Sequence, residues 1–106
     1  MKKYLPYPQM KNIVILQILK CLSSPIRFEI VTKLFNTGKD VPCFTFQYLG
    51  KKSNLSLHYK NLCENGLIII KREGRNTFVE LRQNELQERF PNLLESLVQI
   101  SKNAKD

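Results

Sequence analysis

The chain has 106 residues, 42% of them apolar, and carries 17 Lys/Arg against 9 Asp/Glu for a formal charge of +8. That length suits one compact domain over 1–106 with a modest core, and no apolar run approaches the ~20 residues that a bilayer-crossing helix needs. Residues 1–40 hold seven basic against two acidic residues, 51–76 six against two, and 77–106 four against five, so a basic front suits a polyanion and a near-neutral tail suits another subunit.

Lys2 and Lys3 ahead of the apolar run Ile13–Leu19 imitate a secretory signal. Pro6 and Pro8 intervene, Gln17 and Lys20 interrupt, and no small-residue cleavage site follows. Cys21 is preceded by Lys20, where a lipoprotein signal wants a small residue. A cytoplasmic protein is expected, with its three widely spaced cysteines reduced rather than bridged. Met10–Leu22 reads as a first helix, apolar nearly all round, which predicts burial on more than one side and a share in a dimer core through Leu16 and Leu19. Ser23-Ser24-Pro25 stops and restarts the chain, with Ser24 as N-cap and Pro25 at the first helical position, where its missing N–H is harmless. The second helix runs from Pro25 to about Asn36 with Ile26, Ile30 and Leu34 on one stripe and Val31 and Phe35 beside it. Gly38 ends it.

After Asp40 and Pro42, Cys43–Leu49 has room for only a short helix, with Phe44 and Tyr48 at i, i+4. Gly50-Lys51-Lys52 turns the chain into a helix that opens at Ser53, carries Leu55, Tyr59 and Leu62 on its apolar side, and closes at Asn65-Gly66. Residues 43–65 therefore form a helix-turn-helix, with Ser53, Ser56, Leu57 and Lys60 facing outward. Leu67–Ile70 reads as a strand, Lys71–Asn76 as a charged turn and Thr77–Leu81 as the returning strand, so residues 67–81 make a basic-tipped hairpin, the wing of a winged helix. The tail, 84–102, repeats Leu86, Phe90, Leu93, Leu97 and Ile100 at spacings of four and three, a narrow apolar seam that Pro91 kinks or restarts. The expected fold is mainly α with a small β-hairpin, an α+β winged helix-turn-helix. It is expected to be dimeric, with 10–22 and 84–102 as the dimerisation helices and Leu16, Leu19, Leu93, Leu97 and Ile100 in the contact.

Leu22-Ser23-Ser24-Pro25-Ile26-Arg27-Phe28-Glu29-Ile30 resembles the L-x-x-P-x-R-x-x-I opening of the ArsR/SmtB family of bacterial winged-helix repressors. Ser53–Leu67 resembles that family's recognition segment, S-x-[VL]-S-x-H-[LY]-x-x-L-x-x-x-G-L, and Arg72-Glu73-Gly74-Arg75 resembles its wing. The three strings lie in the family's order and cover about residues 10–82. The resemblance implies a homodimer on operator DNA that an effector usually releases, with Ser53, Asn54, Ser56 and Leu57 close to bases or phosphates in the major groove. Two departures stand out. Leu57 occupies a position where many members have a basic residue or His, and the turn between Gly50 and Ser53 is one residue shorter than is usual.

Lys51, Lys52, Lys60, Lys71, Arg72 and Arg75 are the expected phosphate contacts. His58, the single histidine, is expected to be structural or to touch a phosphate, since no second His or carboxylate lies at ligand spacing around it. An enzyme is not expected: a Gly-rich phosphate loop and a nucleophile with a base are lacking, there is no paired acid cluster beyond Glu85 and Glu88 on an expected helix surface, and no cofactor is called for. Arsenic- and cadmium-type members of the family use a Cys-x-Cys pair where this chain has Val41, Cys43 and Thr45, and zinc-type members use C-terminal His and acidic residues where 82–106 has no His. No metal site is expected, and the effector is left open. Cys21, Cys43 and Cys63 remain candidates for a soft-metal or redox sensor should they meet in space, against the plainer reading of buried apolar residues. The sequence thus reads as a sequence-specific DNA-binding transcriptional regulator, a repressor acting on double-stranded DNA as a homodimer. The alternatives are a winged-helix protein-interaction module and a cysteine-based sensing repressor.

Overall fold

The computed structural model describes residues 2–104; residues 1, 105 and 106 of the expected 1–106 domain lie outside the described residues. The described chain is a compact α+β domain in which a four-stranded antiparallel sheet, with β1 (Lys2–Tyr4), β3 (Ile68–Glu73), β4 (Asn76–Leu81) and β2 (Val41–Pro42) side by side in that order, packs against helices. Among the described residues no helix is long and apolar enough to cross a membrane.

A short strand, β1 (Lys2–Tyr4), comes first and lies at the edge of the sheet. The expected helix over 10–22 is broken: Met10–Asn12 forms a 3₁₀ turn and α1 spans Ile15–Leu22. Ile13 and Val14 between them are extended, because Ile13 is drawn into the core, where it is 1% exposed. Val14 restarts the helix by donating its N–H to the Gln17 side-chain oxygen at 2.9 Å.

The second helix, α2 (Pro25–Thr37), begins as expected, with Pro25 in its first turn and the Ser24 hydroxyl accepting the Arg27 N–H at 3.3 Å. Gly38 ends it at φ 74°. Strand β2 (Val41–Pro42) then leads into a 3₁₀ run over Cys43–Leu49. With three residues per turn, Cys43, Phe46 and Leu49 share a face. Phe46 is fully buried, Cys43 and Leu49 pack on the core, and Phe44 and Tyr48, expected as the apolar pair, are exposed.

Next, α3 (Lys52–Glu64) starts one residue ahead of Ser53, without a side-chain cap at Lys51. It ends at Asn65 and Gly66, where φ is +83°. Gly66 is required twice over, since a Cβ there would also lie 2.6 Å from Ile13 Cγ1. Strands β3 (Ile68–Glu73) and β4 (Asn76–Leu81) follow, pairing from Ile68 opposite Leu81 to Glu73 opposite Asn76. The expected six-residue turn is therefore only Gly74-Arg75, and Lys71, Arg72, Glu73 and Asn76 belong to the strands. The tail restarts at Pro91, giving α4 (Gln83–Arg89) and α5 (Leu93–Ala104) with Asn92 at φ 64° between them. Ile18, Ile30, Val31, Leu34, Phe46, Leu55, Leu62, Leu67, Ile68 and Val79 form the centre of one core that joins helices and sheet.

Candidate nucleic-acid interface

Helix α3 is divided lengthwise by burial. Leu55, Tyr59, Leu62 and Cys63 face the core, while Lys51, Lys52, Ser53, Asn54, Ser56 and Leu57, at or beside its first two turns, and Lys60 in the third are all exposed. Leu57 is 67% exposed, an apolar side chain set among polar and cationic ones. The sequence periodicity puts Ser53, Ser56, Leu57 and Lys60 outward and Leu55, Tyr59 and Leu62 inward, as found, because the 3.6-residue repeat fixes which face is apolar.

Three sets of contacts hold α3 in place. The Tyr59 hydroxyl donates to the Cys43 carbonyl at 3.3 Å and its ring lies 6.3 Å from that of Phe46, which seats α3 on the 3₁₀ run. At the other end, the Gln17 amide donates to Asn65 Oδ1 at 3.0 Å and the Cys21 thiol to Asn61 Oδ1 at 3.2 Å, so α1 grips the last turn of α3. From α2, Arg27 donates through Nε to the Cys21 carbonyl at 2.7 Å and through Nη1 to His58 Nδ1 at 3.2 Å.

Because a guanidinium can only donate, His58 Nδ1 must accept and its proton sits on Nε2. Burial and then the Arg27 charge hold the His58 pKa below its ordinary value, so the ring is neutral. His58 is thus half-buried between α2 and α3 rather than in the row of exposed residues. Arg27 belongs to the opening motif, but its partner on α3 lies 31 residues away and leaves no local signal.

At the hairpin, Arg72, Glu73, Gly74, Arg75 and Asn76 are exposed. Lys71 is not available with them. Its side chain is 7% exposed, and its ammonium sits 2.7 Å from Asp40 Oδ2 and 2.9 Å from Glu80 Oε1. Burial alone would lower its pKa, but the two carboxylates outweigh that and raise it. Strand alternation is the reason: Lys71 points to the opposite face of β3 from Arg72, and the turn expected there is strand instead.

The cysteines occupy separate places. Cys21 bonds to Asn61, Cys63 to the Pro6 carbonyl at 3.6 Å, and Cys43 lies beneath Tyr59. Burial raises the pKa of each thiol, that of Cys43 to about 11. Among the described residues no group of three His, Cys, Asp or Glu side chains gathers to hold a metal ion, so Cys21, Cys43 and Cys63 do not assemble the soft-metal site. Of the residues expected in a dimer contact, Leu16, Leu19 and Ile100 are exposed, while Leu93 and Leu97 are half-buried against the domain's own core.

No family model matches the chain. It is similar to a protein of Bacillus subtilis (strain 168) described as the uncharacterised HTH-type transcriptional regulator YceK, with 35% identity over 86 residues, covering 76% of this chain and 83% of that protein.

Proposed function

The chain belongs to the HTH-type transcriptional regulators, and on that premise we propose that it is a DNA-binding repressor of the ArsR/SmtB kind, which acts in the cytoplasm as a homodimer on an operator. The observation that carries this reading is the exposed row on α3, with Lys51, Lys52 and Lys60 around Ser53, Asn54, Ser56 and Leu57. Short polar side chains at the N-terminal end of a helix are the groups that reach base edges when the helix lies in the major groove. Asn54 has the donor and acceptor to pair with an adenine, and Leu57 suits a thymine methyl rather than a guanine edge. The lysines, with Arg72 and Arg75 of the hairpin acting as a wing, neutralise phosphates on either side. The order of the opening motif, recognition segment and wing string supports the family assignment.

Dimerisation gives the row its reach. A symmetric pair places two recognition helices in successive major grooves about one helical turn, ~34 Å, apart. The exposed Ile15, Leu16 and Leu19 of α1 and Ile100 of α5 supply apolar surface for such a contact.

The test is binding to selected genomic fragments and to random duplex over a range of salt. Steep salt dependence is expected, with Arg72→Ala/Arg75→Ala weakening binding on every sequence and lowering the slope by up to ~1.8 per chain. Asn54→Ala and Leu57→Ala should instead change which sequences are preferred. A salt-independent wild type, or a double arginine variant with unchanged affinity and slope, overturns the reading.

A further inference from the structure

The strand β1 lies against the outer edge of β3, with Lys3 directly opposite Arg72 and Tyr4 opposite Lys71. One residue further on, the Leu5 N–H donates to the Ile70 carbonyl at 2.9 Å. On the other side of β3, Ile70 faces Val79 and Arg72 faces Thr77. Residues directly opposite one another share a face of the sheet, and each strand returns to that face every second residue. Leu5, Ile70 and Val79 therefore form one row packed on the core, and Lys3, Arg72 and Thr77 form the next row on the same face, beyond the core.

Both cations of this outer row are exposed, and among the described residues neither Lys3 nor Arg72 makes an ion pair. Their Cβ atoms stand about 5 Å apart in such a pairing, and like charges set directly opposite one another oppose strand pairing unless an anion lies between or above them. The core face of β3 is also the one against which α3 packs, with Ile68 and Ile70 buried there. The Lys3–Arg72 row therefore opens on the side of the sheet that carries α3, next to the Gly74-Arg75 turn.

We propose that β1 is part of the DNA-binding surface: Lys3 and Arg72 together clamp the phosphate backbone beside the major groove that α3 enters, which makes the wing three-stranded. This rests on the DNA-binding reading above, and it assigns the N-terminal strand a function that neither its sequence nor the similarity to YceK gives it. A duplex supplies what the strand pairing needs, a row of anions that relieves the repulsion between the two cations. DNA binding and the docking of β1 onto β3 therefore favour one another.

The experiment measures the affinity of the full chain for a random-sequence duplex as a function of salt, for wild type, Lys3→Gln, Lys3→Arg and Arg72→Gln. Lys3→Gln should lower the salt slope by about 0.9 per chain bound, as Arg72→Gln does, while Lys3→Arg keeps the wild-type slope. Hydrogen exchange at the Leu5 amide should stay slow in Lys3→Gln, because Leu5 rather than Lys3 anchors the strand to the core. A Lys3→Gln protein with wild-type slope and affinity overturns the proposal while leaving the DNA-binding reading intact, provided that the wild type binds with steep salt dependence. Weakened binding together with lost Leu5 protection also overturns it, since Lys3 would then only hold the strand. A wild type that does not bind duplex overturns both.

Discussion

Arg27 and His58 are joined across the α2–α3 interface by a 3.2 Å hydrogen bond in which the imidazole Nδ1 accepts. The same guanidinium holds the Cys21 carbonyl, so one side chain ties α2 both to the end of α1 and to the exposed helix. Because the folded state lowers the His58 pKa, the unfolded chain takes up its proton first, near the ordinary value of about 6.5. The stabilisation is complete above that pH and is lost as pH falls toward the lower folded value. Urea midpoints measured at pH 7.5 and 5.5 should drop in acid, and the drop should be smaller in His58→Gln. Equal drops in the two proteins would show that the imidazole does not carry the effect.

Lys71 and Arg72 are neighbours in sequence with opposite expected phenotypes. Lys71→Met removes the cation that Asp40 and Glu80 share at 2.7 and 2.9 Å. Those carboxylate side chains are 31% and 43% exposed, so water softens the loss to about 2 kcal/mol of folding stability. The salt slope of DNA binding should be unchanged. Denaturant titration and salt-dependent binding on the same variant separate the two effects.

The proposed dimer is tested best on α1. Leu16 is 73% exposed, so Leu16→Asp leaves the monomer's packing intact but places a carboxylate in the proposed contact. Solution mass should halve, and operator affinity should fall by orders of magnitude because the second half-site no longer binds as part of the same molecule. Leu93→Asp/Leu97→Asp is less discriminating, since both leucines also pack on the monomer core and the variant risks unfolding. A Leu16→Asp dimer with full affinity would move the contact elsewhere.

With burial holding the Cys43 pKa at about 11, only about one thiol in ten thousand is ionised at pH 7, and the thiolate is the reactive form. Alkylation of the native protein at neutral pH should be slow at Cys43 and become fast only in denaturant. Operator affinity should likewise withstand stoichiometric zinc, cadmium or arsenite. Release by one of these ions, abolished by Cys43→Ser or Cys63→Ser, would contradict this.

Among the described residues, the buried Thr32 Oγ1 finds no hydrogen-bond partner. Thr32→Val keeps the side chain's shape and removes the cost of burying an unpaired hydroxyl, so stability should rise by about 1 kcal/mol. Thermal unfolding of the single variant measures it.

Local rules were enough for the parts of the fold that local chemistry decides. Ser24 and Pro25 at the start of α2, Gly38 after it, and the Leu55-Tyr59-Leu62 stripe closed by Gly66 all lie where the sequence puts them. The failures share a different cause. Lys2–Tyr4 has no strand-like alternation of its own and becomes β1 only by meeting residues 71–73. The break at Ile13 comes from the core and Gly66, not from its neighbours in the chain. Cys43–Leu49 buries every third residue, a 3₁₀ pattern too short to distinguish from an α-helical one. For the candidate interface, the exposed face of α3 could be read from periodicity alone, whereas Lys71 changed from surface cation to buried ion pair because its partners Asp40 and Glu80 are distant in sequence.

The sheet order places the two longest strands inside the two shortest. Open edges recruit foreign strands, and here one edge is three residues long with Lys3 in it while the other is two residues long and ends at Pro42, which has no N–H to offer. That protection arrives late in folding. The hairpin forms from residues close together in the chain, but its outer flank closes only when the first residues return to residues 71–73, the kind of long-range pairing that is slow to form. Until then β3 presents Ile68–Glu73 as an unguarded edge, so self-association is a hazard of nascent or N-terminally clipped chains more than of the finished domain.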